Sequence, residues 1–254
     1  MSLDQPVPNV KHETLTRDAF LGGRLVLSQP AKGFRAGVDS VLLGAAVARP
    51  SRTILDLGAG VGTAALVALA TEVFRTAVLV DIEPHVLALA HMNAADNGFG
   101  AMVRTHLLDA ASTETLPGDH FTSVIANPPY FAAGQGTAAT SRGNTARQMQ
   151  LSDLQRWVAF AAGAAAPGSE VVFIHRAEML AELLAAFAPR LGAITVLPLT
   201  PRPGTPAARI LVRGIKGSRG PLTLLASRSL HAAEGNGYAP EFDAILRGTG
   251  RLDW

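Results

Sequence analysis

TILDLGAGVG, residues 53–62, joins a largely apolar run to a turn that contains three glycines. The run predicts a buried β-strand, and the apolar residues from Thr63 onward predict a helix that starts directly after the turn. Glycine lets the backbone turn sharply and lets a ligand approach it closely. The stretch therefore predicts the first strand–turn–helix unit of an α/β fold, and the turn is either a cofactor site or a tight structural turn.

Strands and helices alternate along most of the chain around this unit. Such alternation predicts a mostly parallel sheet with helices on both faces, and the near-continuous apolar character of the strands indicates burial on both sides. We expect residues 1–18 to be loosely held until they dock. The predicted strands are 24–29, 53–57, 77–81, 103–107, 123–126, 170–175 and 194–199, and the predicted helices are 39–49, 63–74, 83–97, 151–165 and 176–190.

The composition excludes several classes of protein. The chain has 254 residues, of which 48% are hydrophobic, with no cysteine and a net charge of +2. This length forms one or two domains, and the apolar content excludes a disordered protein. The lack of cysteine excludes disulfides and cysteine-ligated metal centres, and the histidine spacing predicts no metal site. The polar N-terminus and the lack of a long apolar run predict no secretion signal and no transmembrane helix, so we expect a cytoplasmic protein.

An acidic residue, Asp81, ends the strand that follows the glycine turn, about 20 residues beyond the glycines. An acid at this spacing can accept hydrogen bonds from both hydroxyls of an adenosine ribose. The alternative is that Asp81 caps the helix predicted for residues 83–97. The glycine turn has no basic residue close by and no following GK[ST], which argues against a phosphate-binding loop.

The sequence Asn127-Pro128-Pro129-Tyr130 ends the strand predicted for residues 123–126. Two consecutive prolines fix the backbone and remove two N–H donors, so the nearby carbonyls face a site. Rigid acceptors beside an aromatic ring suit a planar substrate that carries an –NH₂ group, such as a base edge or an amide. The alternative is a proline-stiffened turn with a packed tyrosine.

These residues together resemble the class I S-adenosylmethionine-dependent methyltransferases of the small methyltransferase domain type. The resemblance is carried by DLGAGVG (56–62), VDIEP (80–84), HLLDA (106–110) and NPPY (127–130). The segments 18–24 and 33–43, DAFLGGR and GFRAGVDSVLL, are similar to the bacterial valine-tRNA adenine-N6 methyltransferase subfamily.

The resemblance implies a Rossmann-like, mostly parallel sheet of seven strands, of which the last is antiparallel. It also implies a hairpin and helix in residues 1–50 that pack on a methyltransferase domain of residues 51–254. S-adenosylmethionine would be the cofactor, and Asn127, Pro128, Pro129 and Tyr130 the catalytic residues. Cofactor contacts are implied for Gly37, Asp39, Ser40, Asp56, Gly58, Ala59, Gly60, Gly62, Asp81, Ile82, Asp109 and Asn127.

Two of these implied contacts have simpler alternatives. Asp109 would accept a hydrogen bond from the exocyclic amine of the donor, or it caps a loop. Gly37–Ser40 would offer free backbone N–H groups to the carboxylate of the donor, or Asp39 is a plain helix N-cap.

The substrate implied by the resemblance is an exocyclic amine, in first place adenine N6 of a transfer RNA. Phe131, Arg142 and Arg147 lie in a Gly/Thr/Ala-rich stretch after the NPPY motif that should overhang the target pocket. Residues 201–228 contain six basic residues and no acid, and of these Arg202 and Arg209 are candidate RNA contacts. The alternative for this basic segment is a solvated strand-and-turn face.

Other functions stay open at this point. The same motifs fit methylation of guanine N2 in ribosomal RNA or of a glutamine amide in a protein. A nicotinamide-dependent oxidoreductase would leave the NPPY motif without a role, and a non-catalytic RNA-binding factor would not need the donor motifs. We expect a monomer that binds RNA, without a membrane or a metal as partner.

Overall fold

The computed structural model describes residues 14–33, 35–47, 51–71, 74–112, 116, 121–129 and 151–254. In this part of the chain the helices are α1 (Val38–Ala45), α2 (Thr63–Ala70), α3 (Pro84–Asp96), α4 (Leu151–Ala164), α5 (Leu180–Phe187) and α6 (Pro240–Leu246). The strands are β1 (Leu15–Phe20), β2 (Leu25–Pro30), β3 (Ser51–Leu57), β4 (Phe74–Asp81), β5 (Val103–Leu107), β6 (Phe121–Ala126), β7 (Ala165–Arg176), β8 (Leu191–Thr200), β9 (Arg209–Lys216), β10 (Thr223–Leu224) and β11 (Arg228–Ser229).

The main sheet has nine strands in the described part of the chain, with the order β10-β8-β9-β7-β6-β3-β4-β5 and with β11 paired to β8. Its long strands run parallel except β9, which is antiparallel to both β7 and β8. The predicted mostly parallel sheet with an antiparallel last strand is thus confirmed. The sequence did not indicate β10 and β11, which are edge strands of two residues each.

The strand order reverses next to β3. From β3 the chain proceeds outward through β4 to β5 and then crosses to β6 on the other side of β3. In open α/β sheets ligands bind in the crevice at the carboxyl ends of the strands where the order reverses. The topology therefore places the candidate site above the ends of β3 and β6.

Two apolar cores cover the two faces of the sheet. One contains α1, α2 and α3 with the N-terminal hairpin, and Leu42 and Leu66 are fully buried in it. The other contains α4 and α5, with Val158 and Leu183 fully buried. Burial on both faces explains why the strand sequences are apolar without alternation.

The N-terminal hairpin of β1 and β2 is attached to α3 by side chains rather than by a strand. Asn93 Oδ1 accepts the Ser28 N–H (2.7 Å), and Asn93 Nδ2 donates to the Ser28 carbonyl (3.0 Å). One helical turn later, Asn97 makes the same two contacts with Val26, each at 3.0 Å. Two amides spaced four residues apart on a helix thus satisfy the free edge of β2.

Several predicted boundaries are wrong. Residues 15–18, for which no element was predicted, lie in β1 and pair with β2. The helix predicted for residues 63–74 ends at Ala70, because Phe74 already starts β4. The helix predicted to reach residue 49 ends at Ala45, where the Leu252 N–H donates to the Ala45 carbonyl (3.3 Å). β9 was expected only as an antiparallel last strand without assigned residues, and α6 was not predicted.

Among the residues that the structure describes, no helix is long and apolar enough to cross a membrane. The same residues contain no group of three or more acidic or histidine side chains that could hold a metal ion.

Candidate active site

The glycine turn after β3 holds three positive φ angles, +66° at Gly58, +57° at Gly60 and +86° at Gly62. A Cβ atom on Gly58 would lie 2.4 Å from the Trp157 ring, and one on Gly62 would lie 2.9 Å from Leu79 Cδ2. A Cβ atom on Gly60 would meet no atom within 4 Å. The outer two glycines are therefore required by packing, and Gly60 presents bare backbone to open space.

Asp81, at the end of β4, fixes this turn. Its Oδ2 accepts the Gly60 N–H (2.9 Å), and its Oδ1 accepts the Glu83 N–H (3.0 Å) at the start of α3. The N-cap of α3 is Glu83, and no side chain caps this helix, so Asp81 holds the residue before the helix and does not cap it. A carboxylate has further lone pairs for ligand hydroxyls. Asp81 connects the turn, the strand end and the next helix.

Asp56 lies beneath the turn and is buried. Its Oδ2 accepts the Ala65 N–H (3.1 Å) in the first turn of α2. Burial raises the pKa of the Asp56 carboxyl from 3.8 to about 7, the Ala65 hydrogen bond opposes the rise, and the charge of Asp81 adds to it. Asp56 is therefore in position to hold the first turn of α2, which directly follows the glycine turn.

Two exposed apolar side chains flank Asp81. Ile82 is 43% exposed and Leu107, at the end of β5, is 61% exposed. Leu107 pairs with Asp81 in the sheet, so both apolar groups lie at the strand ends beside the carboxylate. The sequence analysis named Ile82 and missed Leu107, whose place follows only from the β4–β5 register.

Asp109 follows β5 and organises its own loop. Its Oδ1 accepts the Ala111 N–H (2.8 Å). The preceding residue, Leu108, donates its N–H to the Asp81 carbonyl (3.0 Å). Asp109 thus caps a loop, as in the simpler interpretation, and stands next to Asp81 on the site edge.

Asn127 leaves β6 next to the glycine turn. Leu57 pairs with Ala126, so Gly58 and Asn127 are the next residues of neighbouring strands, which lie about 4.8 Å apart in a sheet. Asn127 is half-buried, Pro128 is buried and Pro129 is half-buried. Tyr130, Phe131, Arg142 and Arg147 lie outside the described residues.

A cavity of ≈ 320 Å³ is lined by Asn127 together with residues of α1 and β9, and no residue of the glycine turn lines it. The start of α1 forms one wall, and the Arg209 Nε donates to Asp39 Oδ2 (2.8 Å) across it. Ser40 lines the cavity from the first turn of α1 and is largely buried. The lining residues are Arg35, Gly37, Val38, Asp39, Ser40, Asn127 and Arg209.

His175, at the carboxyl end of β7, is a buried residue that the sequence analysis did not select. Its Nδ1 accepts the Arg176 N–H (2.9 Å). Burial lowers the pKa of His175 to about 4, with further lowering by the charges of Arg176 and Arg209 and a smaller, opposing effect of Asp39. His175 is therefore neutral at pH 7 and adds no charge to this edge of the sheet.

The six basic residues of the segment 201–228 do not share one surface. Arg202 and Arg209 lie at the edge where β8 ends and β9 starts, on the side of the candidate site. Lys216 ends β9 at the opposite edge, where its Nζ donates to the Ala165 carbonyl (2.7 Å). The Arg213 guanidinium lies 4.5 Å from the Trp254 ring, and Arg228 pairs with Glu241 (2.6 Å).

Comparison with known proteins gives a family match over the candidate site. The profile of the methyltransferase small domain matches residues 36–149. The chain is 33% identical over 136 residues to a release factor glutamine methyltransferase of Cereibacter sphaeroides, across 53% of this chain and 45% of that protein. It is 31% identical over 128 residues to a tRNA1(Val) (adenine(37)-N6)-methyltransferase of a Flavobacteriaceae bacterium, across 50% of this chain and 53% of that protein. The chain thus spans about half the length of the curated relatives it matches.

A solved structure extends the likeness to nearly the whole described chain. A protein from Agrobacterium tumefaciens, described as a predicted O-methyltransferase, superimposes with a TM-score of 0.70 and 29% identity over 84% of this chain and 98% of that one. The match of residues 36–149 contains the glycine turn, Asp81 and Asn127. Residues 36–149 of this chain are therefore similar to the methyltransferase small domain.

Proposed function

We propose that this protein transfers the methyl group of S-adenosylmethionine to the N6 amine of an adenine in RNA, in first place a transfer RNA. The observation that carries the proposal is the register of β3 and β6, which sets the glycine turn beside Asn127. A donor held by the turn would then present its methyl group next to the acceptor atoms of residues 127–129.

The residues at the strand ends fit S-adenosylmethionine. Gly60 has open space where a side chain would otherwise stand. The Asp81 carboxylate is held by two backbone N–H groups and offers lone pairs to ribose hydroxyls. Ile82 and Leu107 are exposed apolar groups that suit the faces of an adenine ring, and Asp109 would accept from its amine.

The residues after β6 would raise the reactivity of the acceptor amine. S-adenosylmethionine supplies an electrophilic methyl group on a sulfonium, so the protein needs chiefly alignment and a good nucleophile. An aromatic amine is a poor nucleophile because its lone pair is delocalised into the ring. Asn127 Oδ1 and the Pro128 carbonyl would accept its two N–H bonds and direct the lone pair toward the methyl group. Tyr130, with Phe131, would stack on the base, a contribution of about 1–3 kcal/mol per base.

The names of relatives support an amine or amide acceptor. One of them is named as an adenine-N6 methyltransferase of transfer RNA and another as a glutamine methyltransferase. Adenine N6 and a glutamine amide both present a planar –NH₂ group, which two rigid acceptors recognise. The relative named as an O-methyltransferase acts on an oxygen by its name, and an oxygen lacks the two N–H bonds that Asn127 and Pro128 would accept. The proposal includes a cytoplasmic monomer that binds RNA. In it, an N-terminal hairpin and helix (residues 1–50) pack on a methyltransferase domain (residues 51–254).

Labelled methyl transfer tests the proposal directly. The purified protein is incubated with methyl-labelled S-adenosylmethionine and separate fractions of transfer RNA, ribosomal RNA and protein, and the labelled nucleosides or residues are identified. We expect label in N6-methyladenosine from transfer RNA. Label in N2-methylguanosine would identify guanine N2 as the acceptor, and label in N5-methylglutamine would identify a glutamine amide of a protein. Absence of label in all fractions, with a thermal shift from NAD and none from S-adenosylhomocysteine, would overturn the proposal.

A further inference from the structure

We propose that Arg35 and Arg209 form an anion subsite in the cavity beside Asn127. The subsite would take a carboxylate or phosphate oxygen of one of the two reactants, namely the amino-acid end of the donor or a phosphate next to the target nucleotide. This inference rests on the proposed function, because the two reactants are those of methyl transfer to RNA.

Arg35 is held in place before any ligand binds. Its Nη2 donates to Asp18 Oδ2 (2.7 Å), and its Nη1 donates to Thr16 Oγ1 (2.8 Å) and to the Pro30 carbonyl (3.2 Å). These partners all lie on the N-terminal hairpin. A guanidinium has five N–H bonds, and these contacts use only Nη1 and Nη2. Since the side chain is 35% exposed and lines the cavity, an anion can reach it.

Ala36, the residue that follows Arg35, is held by the hairpin as well. Gln29, which is buried, donates from Nε2 to Asp18 Oδ2 (3.0 Å) and accepts the Ala36 N–H at Oε1 (2.8 Å). The backbone on the C-terminal side of Arg35 is thereby tied to the same carboxylate that orients its guanidinium. A preorganised cation loses less entropy when it binds a ligand than a flexible one does.

Two arginines line the cavity in the described chain, and each is paired with one aspartate, Arg35 with Asp18 and Arg209 with Asp39. Arg35 and Arg209 each carry a positive charge, and Asp39 is the negatively charged residue among the lining side chains of the described chain. Asp18 pairs with Arg35 but does not line the cavity.

The position of the cavity explains why arginines that bind an anion would be useful there. The glycine turn and Asp81 lie on the β3–β4 side of Asn127, where the adenosine part of the donor would bind. The cavity lies on the side of α1 and β9. Both the amino-acid end of the donor and the sugar–phosphate of the substrate would therefore extend toward it past Asn127.

Calorimetric titration of Arg35→Gln tests the subsite. Lys32→Gln is the matched control, because Lys32 is an exposed cation on the same segment and does not line the cavity. S-adenosylhomocysteine carries the donor carboxylate, whereas 5′-methylthioadenosine lacks the whole amino-acid part. If the anion is the donor carboxylate, Arg35→Gln weakens S-adenosylhomocysteine about 10-fold or more and leaves 5′-methylthioadenosine unchanged. Lys32→Gln should change neither affinity.

The second arm tests the phosphate source. If the anion is an RNA phosphate, Arg35→Gln leaves both adenosine ligands unchanged, raises the KM for RNA about 10-fold and reduces the salt dependence of RNA binding. Unchanged values for all three ligands, or equal weakening of both adenosine ligands, would overturn the subsite. If Arg35→Gln does not fold, Arg209→Gln replaces it in the same titrations, because Arg209 makes no contact with the hairpin among the described hydrogen bonds. A wild-type protein that binds neither adenosine ligand would instead contradict the proposed function.

Discussion

Single residues at this site serve the scaffold and the chemistry together. Asp81 accepts N–H groups from Gly60 and Glu83, and Asp56 accepts one from Ala65. Asp81 therefore fixes the glycine turn and the residue before α3, and Asp56 fixes the start of α2. The sequence spacing placed both acids correctly, but their backbone partners depend on turn geometry that spacing does not encode.

Asp81→Ala should weaken donor binding by at least about 10-fold, because a charge-assisted hydrogen bond contributes about 1.5–3 kcal/mol. The turn would also lose the acceptor of the Gly60 N–H. Calorimetry with S-adenosylhomocysteine measures the effect, with the exposed Asp96→Ala as the control. Equal affinities of wild type and Asp81→Ala would reject the ribose role of this carboxylate.

Asp56 should make stability depend on pH. Its folded pKa of about 7 lies above the ordinary value of 3.8, so between these pH values the folded state binds a proton that the unfolded chain has lost. Stability therefore falls as the pH rises through this window. Asp56→Asn keeps an acceptor for the Ala65 N–H and should remove that fall, with a gain on the order of a few kcal/mol at pH 8.

Thermal unfolding of wild type and Asp56→Asn from pH 5 to pH 8 checks this expectation. The exposed Asp96→Asn controls for the loss of one charge. If wild type and Asp56→Asn show the same change of Tm with pH, Asp56 does not have the raised pKa.

At the scale of elements, side chains of α3 and of the residue after it hydrogen-bond to the edge of β2, as a neighbouring strand would. Asn93 and Asn97 bind the backbone of β2, and Asn93 Nδ2 also donates to the Val61 carbonyl (3.1 Å) in the glycine turn. The hairpin, the helix and the turn are therefore one connected unit. An asparagine on a helix gives no indication in the sequence that it pairs with a strand edge.

Asn93→Asp should lower the free energy of unfolding by about 3 kcal/mol or more. Asn93 is fully buried, and a carboxylate in its place would face the Ser28 and Val61 carbonyls without an N–H to offer them. Urea unfolding measures the change, with the exposed His91→Ala on the same helix as the control. A change below about 0.5 kcal/mol would show that the amide contacts do not hold the hairpin.

The apolar pattern predicted the elements of the central fold better than their ends. The buried runs of β3, β4 and β6 stand out because both their faces are covered. The end of α2 was missed because the apolar residue Phe74 continues the helical pattern although it lies in β4. The residues of β9 were missed because its sequence, RILVRGIK, contains a glycine and three basic residues.

The residues of the candidate site were also predicted only in part. The glycine turn, Asp81 and Asn127 follow predicted strands, so the sequence alone brings them to one edge of the sheet. Arg35 was missed because it reaches this edge through its contacts with the hairpin. His175 ends a predicted strand, but its burial depends on the pairing of β7 with β9. Contacts between segments so distant along the chain leave no local pattern.

At the scale of the whole molecule, basic residues lie on opposite edges of the sheet. Arg202 follows β8 on the side of the candidate site, and Arg219 follows β9 at the other edge. If RNA binds across the candidate site, Arg202→Gln should weaken it and reduce the salt dependence by about 0.7 log units per log salt for one single-strand phosphate contact. Arg219→Gln should change neither quantity. RNA titrations at several salt concentrations measure both variants, and equal effects of the two would reject this orientation of the RNA.

The account depends most on Asn127 acting on the methyl acceptor rather than on the donor. Single-turnover transfer of a labelled methyl group to the identified RNA, at saturating donor, isolates that step. We expect Asn127→Ala to lower the transfer rate by about 100-fold or more, with an unchanged affinity for S-adenosylhomocysteine. A transfer rate within a few-fold of wild type would contradict the account.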